Sequence, residues 1–152
     1  MILTQILRRS CSRVPLECRD KEAVIGELID LLDVNGQLIE RQVCLDAVLM
    51  REEIRSTGIG SGIAIPHGKC AGVKELVMAI GVAPEGIDFA SIDDRPVTIV
   101  ILLVSPIDRT GPHIQALARI SRLMLDEEFK KQLETAASGE QLYELLSSRE
   151  NE

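Results

Sequence analysis

A run of eight residues from Val97 to Val104, apolar apart from Thr98, is the feature that most constrains the fold of this chain. The run is far shorter than the roughly 20 apolar residues of a membrane-spanning helix, and its β-branched valines and isoleucines favour a strand. A strand without a polar face has to be covered on both sides. The run therefore predicts the central strand of a sheet that has other elements packed on both faces.

The segments on either side of this run alternate between extended and helical patterns, without repeats or low-complexity stretches. We therefore expect a single α/β domain, a sandwich with a mixed β-sheet flanked by helices, over residues 13–148. Residues 1–12 carry no clear pattern and are expected to form a flexible N-terminus. Further strands are predicted at residues 13–18, 62–66 and 76–82, and helices are predicted to begin near Asp20, Ile39, Pro112, Asp126 and Ser138.

Two of the predicted helices carry apolar residues at helical spacing, which we expect to face the core. In the helix over residues 39–52 these are Ile39, Val43, Ala47 and Met50. In the helix after Pro112 they are Ile114, Leu117, Ala118, Ser121 and Leu125.

Composition limits the partners that the chain can have. A net charge of −7 over 152 residues repels a phosphate backbone, and an aromatic content of 2% leaves little to stack on bases, so we expect no nucleic-acid partner. The longest apolar runs are only as long as a strand, so we expect no membrane insertion. Four cysteines without a CxxC pair predict a reducing, cytoplasmic compartment. They are Cys11, Cys18, Cys44 and Cys70.

A glycine-rich loop runs from Thr57 through a short apolar segment to His67. Pro66 stiffens the approach to this histidine and Gly68 allows a sharp exit. A neutral imidazole has one ring nitrogen free as a nucleophile when the other is held by a hydrogen bond. This chemistry suits reversible phosphorylation, but on local grounds a structural turn role for His67 stays equally open.

Phosphoryl transfer needs donors around three phosphoryl oxygens. Arg51 offers a planar donor fork, and successive amides from Gly58 to Gly62 can form an anion-binding nest. His113, expected in the first turn of a helix, is predicted to be neutral and to donate a hydrogen bond to an oxyanion. The candidate phosphate-binding groups are thus Arg51, His113, Thr57, Gly58, Gly60, Gly62 and Gly68.

Other kinds of site match the sequence less well. The spacing of Gly58, Gly60 and Gly62 is not that of a dinucleotide-binding loop, and Gly62 and Gly68 are one residue too far apart for a P-loop. A Cys70 nucleophile with His67 as base lacks an orienting group. Zinc would lack a second pair of closely spaced ligands, so we expect no metal and no cofactor. The candidate zinc ligands are His67, His113, Cys70 and Cys44.

Several segments together resemble the fructose/mannitol-class enzyme IIA domain of the bacterial phosphotransferase system. The likeness runs from about the first helix to the end of the chain. The segments are Arg51-Glu52, Ser56-Thr57-Gly58-Ile59-Gly60, Gly62-Ile63-Ala64-Ile65-Pro66-His67-Gly68 and Pro112-His113-Ile114-Gln115-Ala116-Leu117-Ala118.

The resemblance implies a component of a phosphotransferase and not a free-standing enzyme that acts on small molecules. His67 would accept a phosphoryl group on Nε2 from an HPr-like phosphocarrier, with Arg51 stabilising its charge and His113 close to it. The sequence of residues 58–67 is similar to that of the nitrogen-regulatory members, which would act on kinases or transporters. A sugar-specific member would pass the group to a IIB domain instead.

Two further expectations complete the hypothesis. The phosphocarrier would dock on an apolar rim around His67. The alternative of another class is a non-catalytic binding module, whose interactions would not depend on His67.

Overall fold

The computed structural model describes residues 1–151, which form one mixed sheet with helices packed on it. The strands are β1 (Leu7–Arg13), β2 (Gly58–Gly60), β3 (Ile63–Ala64), β4 (His67–Lys69), β5 (Val77–Ile87) and β6 (Val97–Ser105). The helices are α1 (Lys21–Val34), α2 (Arg41–Ile54), α3 (Thr110–Leu123), α4 (Glu127–Glu134) and α5 (Gly139–Glu150), with a 3₁₀ turn at Leu3–Gln5.

The apolar strand β6 is central to the sheet, as predicted. It pairs antiparallel with β5, where Ile101 lies opposite Ile80, and parallel with β3 and β4, where Leu103 lies opposite His67. The strand order is β1-β5-β6-β3-β2, with β4 also paired to β6. Every residue of β6 except Thr98 is buried, so the sheet is covered on both faces. The predicted α/β class with a mixed sheet is confirmed.

The first strand lies earlier than predicted. It covers Leu7–Arg13 and not residues 13–18, and it pairs parallel with β5. The sequence of this strand does not alternate regularly between apolar and polar residues, because Arg8, Arg9 and Ser10 are polar and exposed in succession. Leu7 and Cys11 are buried. Leu3 is also buried, and the Glu150 carboxylate accepts hydrogen bonds from the Leu3 and Thr4 amides at 2.7 and 3.0 Å. Residues 3–12 thus contribute a 3₁₀ turn and most of a strand to the domain, and the flexibility expected of residues 1–12 stays a prediction.

Three of the predicted helix starts are capped as the sequence indicates. Asp20 accepts from the Ala23 amide at 2.9 Å, Asp126 from the Phe129 amide at 3.2 Å, and Ser138 from the Gln141 amide at 3.1 Å. Each cap satisfies one of the four amides that a helix leaves without a partner. Within residues 1–151, every helix is too short or too polar to cross a membrane.

The predicted core faces of α2 and α3 are wrong. In α2 the buried residues are Cys44, Val48 and Glu52, whereas Met50 is 66% exposed. In α3 the buried residues are His113, Ala116, Ile120 and Leu123, whereas Ile114 is 59% exposed, and Leu125, which lies just beyond the helix, is 79% exposed. Both helices therefore bury a face that includes polar residues and leave apolar side chains in solvent.

Candidate functional site

His67 opens β4, and its backbone is fixed on both sides. The Ile65 amide donates to the Thr57 carbonyl at 3.1 Å, and the Leu103 amide of β6 donates to the Pro66 carbonyl at 3.0 Å. The His67 Nδ1 atom lies 2.7 Å from the Ile65 carbonyl oxygen. Because a carbonyl oxygen only accepts, Nδ1 carries the proton and the lone pair of the neutral ring is on Nε2.

The electrostatic surroundings keep the His67 ring neutral. Burial lowers its pKa, and the charges of Arg51 and Lys69 lower it further, while the Ile65 carbonyl and Glu52 act in the opposite direction. The net effect is a pKa below the ordinary value of 6.5. At neutral pH the ring is therefore a base with a free Nε2 lone pair, which is the form required of a nucleophile.

His113 lies in the first turn of α3, beside His67. The two ring centroids are 5.4 Å apart and the rings are tilted by 60°. The ring is buried, and its Nδ1 lies 2.7 Å from the Ser105 hydroxyl oxygen at the end of β6. Burial, with the charges of His67 and Lys69, lowers the pKa of His113 to about 4. This second imidazole is thus neutral as well.

Arg51 is the positively charged residue that lines both clefts beside His67. It lies in the last turn of α2, and one guanidinium nitrogen, Nη1, donates to the Arg55 carbonyl oxygen at 2.9 Å. This contact anchors the side chain at the helix end. Its remaining N–H groups make no hydrogen bond within residues 1–151, and they can bind an oxyanion in the bidentate manner that suits phosphate.

Two open clefts meet at His67, and Arg51 and Leu117 also belong to both. One has a volume of about 540 Å³ and extends over the loop that contains Thr57 and Gly58. The other has a volume of about 460 Å³ and reaches Gly68, Lys69 and His113. The imidazole thus lies where the two clefts meet and can be reached from either of them.

Exposed apolar side chains line these clefts. They form what we call the apolar rim, which consists of Met50, Ile54, Ile59 and Ile92. Ile54 and Ile92 are 78% and 72% exposed, and apolar side chains grouped around clefts mark a candidate interaction surface, unlike those scattered singly. The rim matches the apolar surface expected around His67.

The structure places Thr57 and Gly58 in one cleft and Gly68 in the other, but three of the loop amides are bonded to side chains of the protein. Both the amide and the hydroxyl of Thr57 donate to Glu52, at 2.8 and 2.5 Å. The Gly58 amide donates to the Ser56 hydroxyl at 3.1 Å, and the Ser61 amide donates to Asp93 at 2.9 Å. The loop is thus held by its own side chains and does not present an open nest of amides.

Gly60 and Gly62 form the turn between β2 and β3, away from the imidazole. Their φ angles of +98° and +82° lie in the left-handed region, which explains why glycine is needed there. A Cβ at Gly60 would lie 3.3 Å from the Asp93 carboxylate. An acidic neighbour of this kind disfavours a phosphate beside Gly60, and the phosphate-binding role of the two glycines stays a prediction.

Three contributors to the site lie outside the residues that the sequence singled out. Glu52 holds Thr57 and is paired with Lys21 at 2.9 Å, Lys69 lies two residues after His67 on β4, and Ser105 contacts His113. The sequence contained a signal for Lys69 and for Ser105. Lys69 is two residues from His67, and residues two apart on a strand share a face. Ser105 is the polar residue that ends an apolar strand.

The cysteine alternatives do not assemble. Cys70 and Cys44 are buried together, with their sulfur atoms 3.6 Å apart, and the Cys44 thiol donates to the Gly72 carbonyl oxygen. Burial, with the neighbouring thiol, raises the pKa of Cys44 to about 12. Among residues 1–151, His, Cys, Asp and Glu side chains do not form a group of three that could hold a metal.

A neutral histidine nucleophile beside an arginine and a second neutral histidine is suited to a protein that carries a phosphoryl group. Residues 5–149 match the family described as phosphoenolpyruvate-dependent sugar phosphotransferase system, EIIA 2. The chain belongs to this family. The match covers both histidines, Arg51 and all six strands.

The similar proteins include both sugar-specific components and nitrogen regulatory proteins. The fructose-specific EIIABC component of Bacillus subtilis (strain 168) is 36% identical over 150 residues, which are 99% of this chain but only 24% of that protein. The nitrogen regulatory protein of Escherichia coli (strain K12) is 34% identical over 151 residues, which are 97% of this chain and 91% of that protein. Among solved structures, nitrogen regulatory protein IIA-Ntr from Neisseria meningitidis matches with a TM-score of 0.81 and 29% identity, over 93% of this chain and 97% of its own.

Proposed function

We propose that this chain carries a phosphoryl group on Nε2 of His67. The observation that carries the proposal is the 2.7 Å contact between His67 Nδ1 and the Ile65 carbonyl, because it directs the lone pair to the other ring nitrogen. Nε2 makes no hydrogen bond within residues 1–151 and is not among the buried polar atoms that lack a partner, so it is open to the clefts.

The transfer follows from these positions. The Nε2 lone pair attacks the phosphorus of a phosphohistidine on an HPr-like phosphocarrier, in line with the nitrogen–phosphorus bond that breaks. The electron pair of that bond returns to the carrier's imidazole. Arg51 and the neutral His113 ring bind the three equatorial oxygens, whose charge is spread in the transition state. The proton stays on His67 Nδ1 throughout and is donated in the hydrogen bond to the Ile65 carbonyl oxygen.

The product test uses phosphoenolpyruvate and the general phosphotransferase proteins. Intact-mass analysis should find an adduct of about 80 Da that acid removes and base does not. The His67→Ala variant should not form the adduct. The His113→Ala variant keeps the acceptor His67 and should form the adduct more slowly. An adduct that persists in His67→Ala would exclude His67 as the acceptor, and binding that ignores both phosphorylation and His67→Ala would favour the non-catalytic module.

The apolar rim is the surface that we propose for the phosphocarrier. Replacing Ile54 by Asp puts a charge into this rim without touching the imidazole, so docking should weaken while the chemical step is kept. We expect the KM for the phosphorylated carrier to rise roughly tenfold, with a smaller change in kcat. Val34→Asp is the matched control, since Val34 is 84% exposed at the end of α1, outside both clefts. Equal effects of the two variants would argue against docking at the rim.

For the downstream role, we favour regulation of kinases or transporters, as in the nitrogen branch. Support comes from the fold similarity to IIA-Ntr of Neisseria meningitidis and from the near full-length match to the nitrogen regulatory protein of Escherichia coli. The second candidate is transfer to a IIB domain for sugar uptake, which the identity of 36% with the Bacillus fructose-specific EIIABC component favours.

The two roles differ in the fate of the phosphoryl group. The phosphorylated protein should be mixed with a purified fructose-class IIB domain, and the loss of the adduct should be followed by mass. A regulatory protein should keep its phosphoryl group on a time scale on which a sugar-specific IIA transfers it. Complete transfer within seconds would overturn the regulatory assignment and leave the phosphoryl-carrier function intact.

A further inference from the structure

We propose that Ser105 is a positioning residue that fixes the tautomer of His113, so that the Nε2–H group of His113 is the donor to the phosphoryl group. Ser105 ends β6, the central strand, and is completely buried. Its hydroxyl oxygen lies 2.7 Å from His113 Nδ1. A contact this short between a hydroxyl and a ring nitrogen is a hydrogen bond, and its direction decides which nitrogen carries the proton.

The direction follows from the surroundings of Ser105. Within residues 1–151 the hydroxyl has no hydrogen-bond partner except the His113 ring. If Nδ1 donated to Ser105, the hydroxyl proton would be left buried without an acceptor, which is costly. If the hydroxyl donates to Nδ1, its proton is satisfied. Ser105 therefore donates, and Nδ1 of His113 accepts.

The consequence appears at the other ring nitrogen. A neutral imidazole that accepts at Nδ1 carries its proton on Nε2. The His113 ring is neutral because burial and the nearby charges of His67 and Lys69 lower its pKa to about 4. Its Nε2 has no hydrogen bond within the described chain and is not among the sealed, unpartnered atoms, so it is accessible from the cleft that also contains His67.

The two histidines thus have opposite constraints and complementary tasks. A carbonyl acceptor at Ile65 keeps the proton of His67 on Nδ1 and frees Nε2 to attack. A hydroxyl donor at Ser105 keeps the proton of His113 on Nε2, where it can bind an oxygen of the transferred group. With the other tautomer, His113 would present a lone pair to the phosphoryl oxygens and repel them.

The tautomer can be measured without any phosphorylation, so this part of the inference does not depend on the proposed function. Nitrogen-15 NMR of the two imidazoles at neutral pH distinguishes a protonated ring nitrogen from one with a free lone pair. We expect the wild-type protein to have His113 protonated on Nε2, and Ser105→Ala to lose this preference. A wild-type His113 protonated on Nδ1 would overturn the proposal.

The kinetic part rests on the phosphohistidine function and tests the same bond. Ser105→Ala should slow phosphorylation of His67 roughly tenfold, the scale on which losing one hydrogen bond shifts an equilibrium. Ser105→Thr, which keeps the hydroxyl, should restore both the rate and the tautomer. Ser12→Ala, which removes a buried serine hydroxyl from β1, should change neither.

The outcomes distinguish a failure of the positioning role of Ser105 from a failure of the phosphoryl-carrier function. An unchanged rate and tautomer in Ser105→Ala would show that Ser105 has no positioning role, even if His67 is phosphorylated. Wild-type protein that is never phosphorylated would refute the carrier function, yet the NMR result on His113 would still stand or fall on its own. Circular dichroism of each variant should match the wild type, which ensures that folded proteins are compared.

Discussion

At the scale of single residues, the site depends on groups that can play only one role. The carbonyl oxygen of Ile65 can only accept, and the guanidinium of Arg51 can only donate. These fixed roles leave the His67 ring with one reactive nitrogen and place a permanent positive charge, that of Arg51, in both clefts. Reversible phosphorylation needs both, because the same imidazole has to accept the group and later release it.

Arg51 offers a direct test of the geometry of its charge. Arg51→Lys keeps the charge but loses the planar fork, so phosphoryl transfer to His67 should slow roughly tenfold to a hundredfold, the range for removing an oxyanion donor. Arg41→Lys, in the first turn of the same helix and paired with Asp30, is the matched control and should leave the rate unchanged. The rate is measured with phosphorylated carrier, and the folded state is checked by thermal unfolding. Equal rates in wild type and Arg51→Lys would assign Arg51 a structural role only.

At the residue scale, the sequence was sufficient for groups whose chemistry is visible in the side chain itself. His67, His113 and Arg51 were all predicted near one another, and the structure brings the two rings to 5.4 Å. Glu52 was missed because its partner Lys21 lies far away in the chain, and Ser105 was missed because its contact with His113 depends on how α3 packs against the end of β6. Thr57 was assigned to phosphate, but its amide and hydroxyl are bonded to Glu52.

At the scale of elements, the site is made by the packing of α2 on β4, which joins Arg51 to His67. Gly68 allows the close approach, because a Cβ there would lie 3.1 Å from the backbone nitrogen and from a side-chain carbon of Val48. Contacts this short cannot relax by the movement of a side chain alone, since one of the atoms belongs to the helix backbone. The distance between helix and strand is therefore set by the absence of a side chain at Gly68.

Gly68→Ala should push α2 away from β4. We expect a loss of about 1–3 kcal/mol of unfolding free energy, the usual cost of overpacking, together with slower phosphorylation because Arg51 moves away from His67. Gly26→Ala is the control, since nothing lies within 4 Å of a Cβ at that position in α1. That change should stabilise the protein by about 0.5–1 kcal/mol. Urea unfolding measures both, and a Gly68→Ala protein as stable as wild type would show that the contact is not tight.

The elements also show why the core faces of α2 and α3 were predicted incorrectly. Helical periodicity identifies apolar stripes, but it does not distinguish a stripe buried by the fold from one that the fold leaves exposed. Met50 and Ile54 belong to the apolar rim, whereas the core-facing side of α2 includes the charged Glu52. Glu52 is buried because Lys21 and Thr57 satisfy its carboxylate, and neither contact is visible in the local sequence.

At the scale of the whole molecule, the two histidines couple the site to stability. They are the only histidines among the 152 residues, and both have a lowered pKa. When the folded pKa is below the unfolded one, the unfolded chain binds more protons at intermediate pH, so stability falls as the pH falls. For His113 this window runs from the ordinary value of 6.5 down to about 4. The site thus costs stability under mildly acidic conditions.

This coupling predicts the pH dependence of unfolding. Between pH 7 and pH 5, wild-type protein should lose about 2 kcal/mol of unfolding free energy through His113, and His67 should add to the loss. His113→Gln should lose about 2 kcal/mol less over the same range. Carboxylates do not obscure the result, because a group such as Glu27, whose pKa is lowered from 4.5, loses its contribution only below that value. Urea titrations at several pH values give the comparison, and parallel curves for the two proteins would contradict it.

The most direct measurement of the central claim is the position of the phosphoryl group. The protein should be labelled with nitrogen-15 in its histidines and then phosphorylated. Phosphorus and nitrogen NMR spectra should be recorded at alkaline pH, where phosphohistidine is stable. The Ile65 contact predicts one phosphoryl group, on Nε2 of His67, with the Nδ1 proton retained. A phosphoryl group on Nδ1 of His67, or on His113, would contradict the account.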